Sequence, residues 1–268
     1  MARRNTSRQL ALKYGLVYDY AVPADAVRAF IDRFRENYAA VELIRVGDEG
    51  DGGYLLPDIF SDVRYCFSPG VSQIANFEKQ LSERHGITCF MADASVSDTP
   101  VSDPNFAFLP KFLGSRTHGS FITLTDWMTD TVGDRTDGMV LQMDIEGAEY
   151  EVFAFEPAET LRRFSAIVVE FHDFQNLFDP NGLRLMTAVF EKLFQDFVIC
   201  HAHPNNCSGK IVHKGIEIPR VFEISFLRRD LLEKFAATTP VSLPHPLDST
   251  NVPSRPDVVL RDDWWRTQ

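Results

Sequence analysis

Four cysteines, Cys66, Cys89, Cys200 and Cys207, are scattered over 268 residues, and no two form a CxxC pair. Two of them sit inside apolar, strand-like runs, so buried thiols in a reducing compartment are expected. Apolar residues never accumulate to the ~20 that a membrane span needs. The opening "MARRNTSRQLALKYGLVYDY" is basic but lacks the roughly 7–15-residue apolar core of a signal peptide. A cytoplasmic protein without a membrane span is the expectation. Positive charge is also short: 27 Lys and Arg face 38 Asp and Glu, for a net charge of -11. So acidic a chain gains little by counterion release, which argues against a nucleic-acid partner or an anionic membrane surface. No internal repeat is present.

What is present is enough apolar residue, 44%, to bury a large core. Val27, Phe30, Ile31 and Phe34 recur at helical spacing in residues 23 to 40 and predict an amphipathic N-terminal helix. Asp51-Gly52-Gly53 between two short apolar segments predicts a hairpin. From Val63 onward, continuous apolar runs alternate with helical patterns. "VRYCF", "ITCFMAD", "SFITL", "GMVLQMD", "SAIVVEFH", "FVICHAH" and "RVFEISFLRR" read as strands. "IANFEKQLSERHG", stopped by Gly86, a segment capped by Asp126 or Thr125, "EGAEYEVFAF" and "GLRLMTAVFEKLFQDF" read as helices. Strands without polar alternation, interleaved with helices, belong to a mostly parallel sheet covered on both faces. The last two strands are separated by residues 204 to 219, read as a polar loop, so that pair is expected to be antiparallel. Five prolines between 240 and 256 predict an extended arm ending in Trp264 and Trp265. The predicted organisation is a helical extension over 1–40, a catalytic-type α/β domain over 41–230 and an arm over 231–268. The helix and the arm suit either a homodimer contact or an arm folded back on its own body.

Ligands of open parallel sheets bind beyond the carboxyl ends of the strands. The residues there are Phe67, Ser68 and Gly70, then Asp93 and Ala94, Asp126, Asp144, Glu170 and His172, and finally His201 and His203. The first loop, "CFSPGVSQIANFE", has one glycine and matches neither the dinucleotide fingerprint nor a P-loop. Asp93, one strand later, is placed to accept two hydrogen bonds from a ribose diol; a turn-capping role is the equal alternative.

"LQMDIEGAEYEVF", preceded by "FITLTDWM" and followed by "AIVVEFHDF", resembles the FkbM-type S-adenosylmethionine-dependent methyltransferases. "DGGYLLPD", "CFSPGVSQIANFEKQL" and "ADAS" extend the resemblance over about residues 41 to 230. It implies a Rossmann-like class I methyltransferase fold, α/β, with a seven-stranded mostly parallel sheet and an antiparallel final strand. It also implies S-adenosylmethionine over Phe67, Ser68 and Gly70, with Glu78 supporting that loop, Asp93 on the ribose, and Ala94 and Ser95 beside the adenine. Asp144 would face the methionine end or the acceptor. One departure is Pro69, which removes an amide donor where relatives are richer in glycine.

The acidity of "DIEGAEYE" divides in this reading. Asp144 leaves the strand at the rim, whereas Glu146 and Glu149 fall in the first turn of the next helix, where the dipole favours anions. Methyl transfer to a hydroxyl needs a base, since an alcohol is a poor nucleophile until its proton is being removed. His172 and His203 are the candidates. Alternatively Asp144 and Glu170 hold Mg2+ or another divalent cation that lowers the hydroxyl pKa. His201, His203 and Cys207 form a weaker zinc pattern. The expected activity is O-methylation of a sugar hydroxyl on a glycan, nucleotide sugar or natural product. A non-catalytic α/β assembly protein and a metal-dependent hydrolase are the alternatives.

Overall fold

The computed structural model describes residues 12–15, 20–71, 74–136, 138–238 and 243–266; Pro240 of the arm lies outside them. Strands β1 (Ile44–Val46) and β2 (Tyr54–Leu56) pair antiparallel around the Asp51-Gly52-Gly53 turn, as the turn chemistry predicts. The main sheet then begins with β3 (Val63–Pro69), β4 (Thr88–Ala92) and β5 (Phe106–Leu109). A short parallel pair, β6 (Phe112–Leu113) and β7 (Phe121–Ile122), interrupts it. The sheet resumes with β8 (Gly138–Met143), β9 (Phe164–Phe171) and β10 (Phe197–Pro204). A hairpin of β11 (Lys210–His213) and β12 (Ile216–Pro219) precedes the last sheet strand, β13 (Phe222–Arg228). The sheet order is β10-β13-β9-β8-β3-β4-β5. β13 is antiparallel to both of its neighbours and the other pairs are parallel.

Two expectations are corrected. The third strand of the outer half is Phe106–Leu109, not "SFITL", of which only Phe121 and Ile122 are extended. β5 is the sheet edge and its residues are partly exposed, so it lacks the continuous apolar run of a central strand. Residues 204 to 219 are not a loop. Lys214 and Gly215 both adopt positive φ, 49° and 75°, as a type I′ hairpin turn requires.

The helices are α1 (Ala24–Glu36), α2 (Asn76–His85), α3 (Leu124–Thr131), α4 (Glu149–Phe155), α5 (Ala158–Leu161) and α6 (Pro180–Asp196). Gly86 ends α2 in the left-handed conformation, as expected. The cap of α3 is Thr123, not Thr125 or Asp126. Its side chain accepts from the Asp126 amide at 3.1 Å, three residues on, which is the geometry an N-cap needs. Thr123→Ala is expected to cost about 1 kcal/mol, measured as a shift in the urea midpoint at unchanged slope. Glu146 precedes α4 rather than opening it, at φ 56°.

The N-terminal helix and the arm belong to the same core as the sheet. Val27, Phe30, Ile31 and Phe34 of α1 are buried together with Phe171, Phe190 and Phe222. Trp264 is 1% exposed; its ring lies 5.2 Å from Phe34 and 5.6 Å from Phe222. The arm is therefore pinned to its own body. Among the described residues, no helix is long and apolar enough to cross a membrane.

Candidate active site

The chain runs outward through β3, β4 and β5, then returns to place β8 on the other side of β3. That reversal opens a crevice at the carboxyl ends of β3 and β8, between Gly70 and Asp144. The two approach very closely. Gly70 sits at φ 94°, and a Cβ there would lie 1.5 Å from the Asp144 carbonyl oxygen. Only glycine meets both demands. Gly70→Ala is expected to destabilise the fold by roughly 1–3 kcal/mol through overpacking and backbone strain, again read from urea unfolding.

On one side of this contact a cavity of about 320 Å³ is lined by Gly70, Asp93, Ser95, Phe112, Phe121 and Asp144, among others. The Ser95 amide donates to Asp93 Oδ1 at 2.6 Å, which fixes the carboxylate at the cavity wall. Phe112 and Phe121 line the cavity while remaining 38% and 39% exposed, with their rings 5.7 Å apart and Phe121 stacked on His118 at 5.3 Å. On the other side a narrower cavity of about 70 Å³ is lined by Asp51, Tyr54, Gly70, Glu78, Gln142 and Asp144. Five of the seven residues assigned to the cofactor by resemblance thus fall on or next to the crevice: Gly70, Asp93 and Ser95 at the larger cavity, Glu78 at the smaller, and Ala94 in the Asp93–Ser95 turn.

The other two lie deeper. Phe67 is fully buried and stacks on Phe90 at 5.0 Å, with Trp127 edge-on at 5.0 Å. Ser68 is buried with its hydroxyl 2.5 Å from Glu78 Oε1 and 2.6 Å from Gln142 Oε1. Burial raises the Glu78 carboxyl above its usual range, against the pull of the hydrogen bond that Ser68 donates to it. Gln142 reaches the Tyr54 hydroxyl of the hairpin at 3.4 Å. Neither Pro69, which has no amide hydrogen, nor Gly70, whose amide is bonded to Ala92 O at 2.9 Å, offers a free backbone donor to a ligand.

The acids of "DIEGAEYE" converge on His172. Glu149 Oε1 accepts from His172 Nδ1 at 3.1 Å and from the amides of Ile145 and Gly147 at 3.3 and 3.0 Å. With Nδ1 held there, Nε2 faces Glu146 at 3.5 Å, Glu170 at 3.7 Å and Asp144 at 3.9 Å. Burial opposes a charged ring, but the Glu149 hydrogen bond and the surrounding carboxylates outweigh it and hold the His172 pKa above the ordinary imidazole value. Burial, reinforced by Glu146, Glu149 and Asp51, pushes the Asp144 carboxyl up to about 7 against the pull of His172. Burial and then Asp144, Glu223 and Asp51 push Glu170 up to about 10.

Two metal-sized groups arise among the described residues: Asp144 with Glu149 and His172, and Glu170 with Asp51 and Glu223. Asp144 and Glu170, paired in the sequence reading, fall into different groups, and neither group includes His201, His203 or Cys207. His203 is 3% exposed, between Glu223 at 3.4 Å and Asp257 of the arm at 3.3 Å. Burial works against its charged form, yet those acids hold its pKa at about 9. His201 is likewise paired with Asp248 of the arm at 2.8 Å. Of the two candidate bases, only His172 stands at the crevice with Asp144.

Sequence reasoning passed over Asp51, Gln142, Asn251, Phe112 and Phe121 and ranked Glu149 low. Asp51 carried a signal, since it begins the Asp-Gly-Gly-Tyr turn. The others carry none that local pattern would find.

A parallel sheet in this order, with an antiparallel strand inserted next to last and a crevice between its first and fourth strands, defines the Rossmann-like methyltransferase class. Residues 93–196 match the family model of the methyltransferase FkbM domain, and over that stretch the chain is similar to it. Among solved structures, the fibrillarin/Nop5p complex aligns at 13% identity over 63% of this chain and 73% of that one, with a TM-score of 0.36. An antibiotic-related methyltransferase aligns at 10% identity over 63% and 90%, TM-score 0.29. A 16S rRNA adenine methyltransferase from Catenulisporales acidiphilia aligns at 10% over 75% and 100%, TM-score 0.27. Likenesses this distant carry no argument about this chain. No curated protein matches the sequence significantly.

Proposed function

We propose that the protein transfers a methyl group from S-adenosylmethionine to a hydroxyl of a sugar, borne by a glycan, a nucleotide sugar or a natural product. The residues fit the cofactor. Asp93 offers its carboxylate to a ribose diol, and Phe112 and Phe121 offer apolar faces to an adenine in the same cavity. When bound, the cofactor supplies an electrophilic methyl group. This chain must supply a base for the acceptor and a position from which it works.

The observation that carries the reading is the Glu149–His172 pair next to Asp144 at the crevice. Glu149, fixed by two backbone amides, accepts a hydrogen bond from Nδ1, so that the neutral ring carries its lone pair on Nε2, at the rim. A base placed there serves an alcohol acceptor, which needs proton removal, more than an aromatic amine, which does not. Among the described residues, no Lys or Arg lines either crevice cavity, which suits a neutral polar acceptor.

The test is calorimetric titration with S-adenosylhomocysteine, followed by a methyl-transfer screen over nucleotide sugars and glycosides, scored by S-adenosylhomocysteine release. Micromolar product binding and turnover with one sugar class are expected. Failure to bind S-adenosylhomocysteine sinks the reading at its first step. Binding with turnover only on amines would reject the hydroxyl acceptor.

A further inference from the structure

Three elements that are distant in sequence bring carboxylates to one point beside the crevice. Asp51 comes from the hairpin turn, Glu170 from β9 and Glu223 from β13, and one oxygen of each lies within 4.8 Å of the other two. Glu170 and Glu223 are cross-strand partners, so the sheet register alone sets them side by side. His203 is Glu223's partner on the next strand and stands 3.4 Å from its carboxylate, and no Lys or Arg among the described residues is paired with the three acids. Neutral amides complete the wall. Asn205 donates to Glu170 Oε1 at 3.2 Å, and Asn251 of the arm donates to Glu223 at 2.5 Å and to Asp51 at 3.4 Å. Glu170 is 5% exposed, and its Oε2 is buried with no hydrogen-bond partner.

Three carboxylates at this spacing repel one another unless a proton or a cation is held among them, and a buried oxygen without a partner is costly. We propose that Asp51, Glu170 and Glu223 bind a calcium ion. All donors are oxygens, which selects a hard cation over zinc or copper. Calcium tolerates an irregular set of oxygen ligands, whereas magnesium demands near-ideal octahedral geometry and gives up its waters reluctantly, so the mixed wall of carboxylates and amides suits calcium better. The ion ties the hairpin to two strands of the sheet, and Asn251, which bridges Asp51 and Glu223, ties in the arm. The site adjoins the Asp144–Glu149–His172 group, with His172 Nε2 3.7 Å from Glu170, but shares none of its three residues.

The experiment strips the full-length protein with chelator, removes the chelator, and adds calcium chloride while following both calorimetric heat and the thermal midpoint. Saturable binding and an upward shift of several degrees are expected, with a weaker response to magnesium. Asp51→Asn and Glu223→Gln should each remove the shift, while Glu149→Gln, in the other acid group, should retain it. Asp51 lies on a hairpin turn, so Asp51→Asn tests the site without touching the sheet. No heat and no shift at millimolar calcium would overturn the proposal, as would a shift that survives in both Asp51→Asn and Glu223→Gln. S-adenosylhomocysteine binding, measured on the same sample, confirms that the stripped protein is folded.

Discussion

His172→Gln is expected to lower the rate of methyl transfer by about 10²–10⁴-fold, the range typical of a lost general base, while leaving S-adenosylhomocysteine affinity unchanged. The ring sits outside the set of residues lining the adenosine-sized cavity, so its loss spares the cofactor. The pH dependence gives an independent check. His172 works as a base only when neutral, and its pKa lies above the ordinary imidazole value because the Glu149 hydrogen bond and neighbouring acids outweigh burial. The rate therefore rises with pH, about tenfold per unit below that pKa, and levels off above it. Glu149→Gln keeps an oxygen that can accept from Nδ1 but removes the negative charge that favours the charged ring, so the rising limb should move to lower pH. Asp144, with its own pKa at about 7, loses its proton over the same range and strengthens the field that holds the His172 proton. Turnover unchanged in His172→Gln would assign proton removal to another group, and a limb that stays put in Glu149→Gln would show that Glu149 does not control the imidazole.

Asp93→Ala is the second large effect, and it falls on binding. A carboxylate that accepts two hydrogen bonds from a ribose diol contributes about 1.5–3 kcal/mol for each, and about 1.4 kcal/mol is a factor of ten. S-adenosylhomocysteine should bind roughly 10²–10⁴-fold more weakly in the variant. The fold should survive, because among the described residues Asp93's side chain accepts just one local hydrogen bond, from the Ser95 amide at 2.6 Å. Calorimetry gives the affinity, and far-UV circular dichroism with the urea midpoint gives the fold. Wild-type affinity in the variant would reduce Asp93 to the turn-capping residue that its Ser95 contact already makes it.

The interior of the fold was legible because it is written in local pattern. β8 and β9 read as continuous apolar runs because both faces are covered, and α1 and α6 showed their buried stripes because one face of a helix recurs every 3.6 residues. β5 escaped notice because an edge strand needs no such run, and the Lys214-Gly215 turn because lysine is an uncommon choice for a positive φ. Glu149 was legible as an acid near a helix start, but its hydrogen bond to His172, 23 residues away, was not.

By itself the sequence determined the alternation of strands and helices, the antiparallel final strand, and Asp93, Asp144 and His172 as residues at strand ends. Those follow from periodicity and from where apolar runs stop. Only the tertiary structure decided which acids face one another. It placed Asp144 and Glu149 around His172, gathered Asp51, Glu170 and Glu223 at a second point, and buried His203 beneath Asp257 of the arm. Cross-strand register and chain return set those meetings, and neither is encoded in the few residues around any one of them.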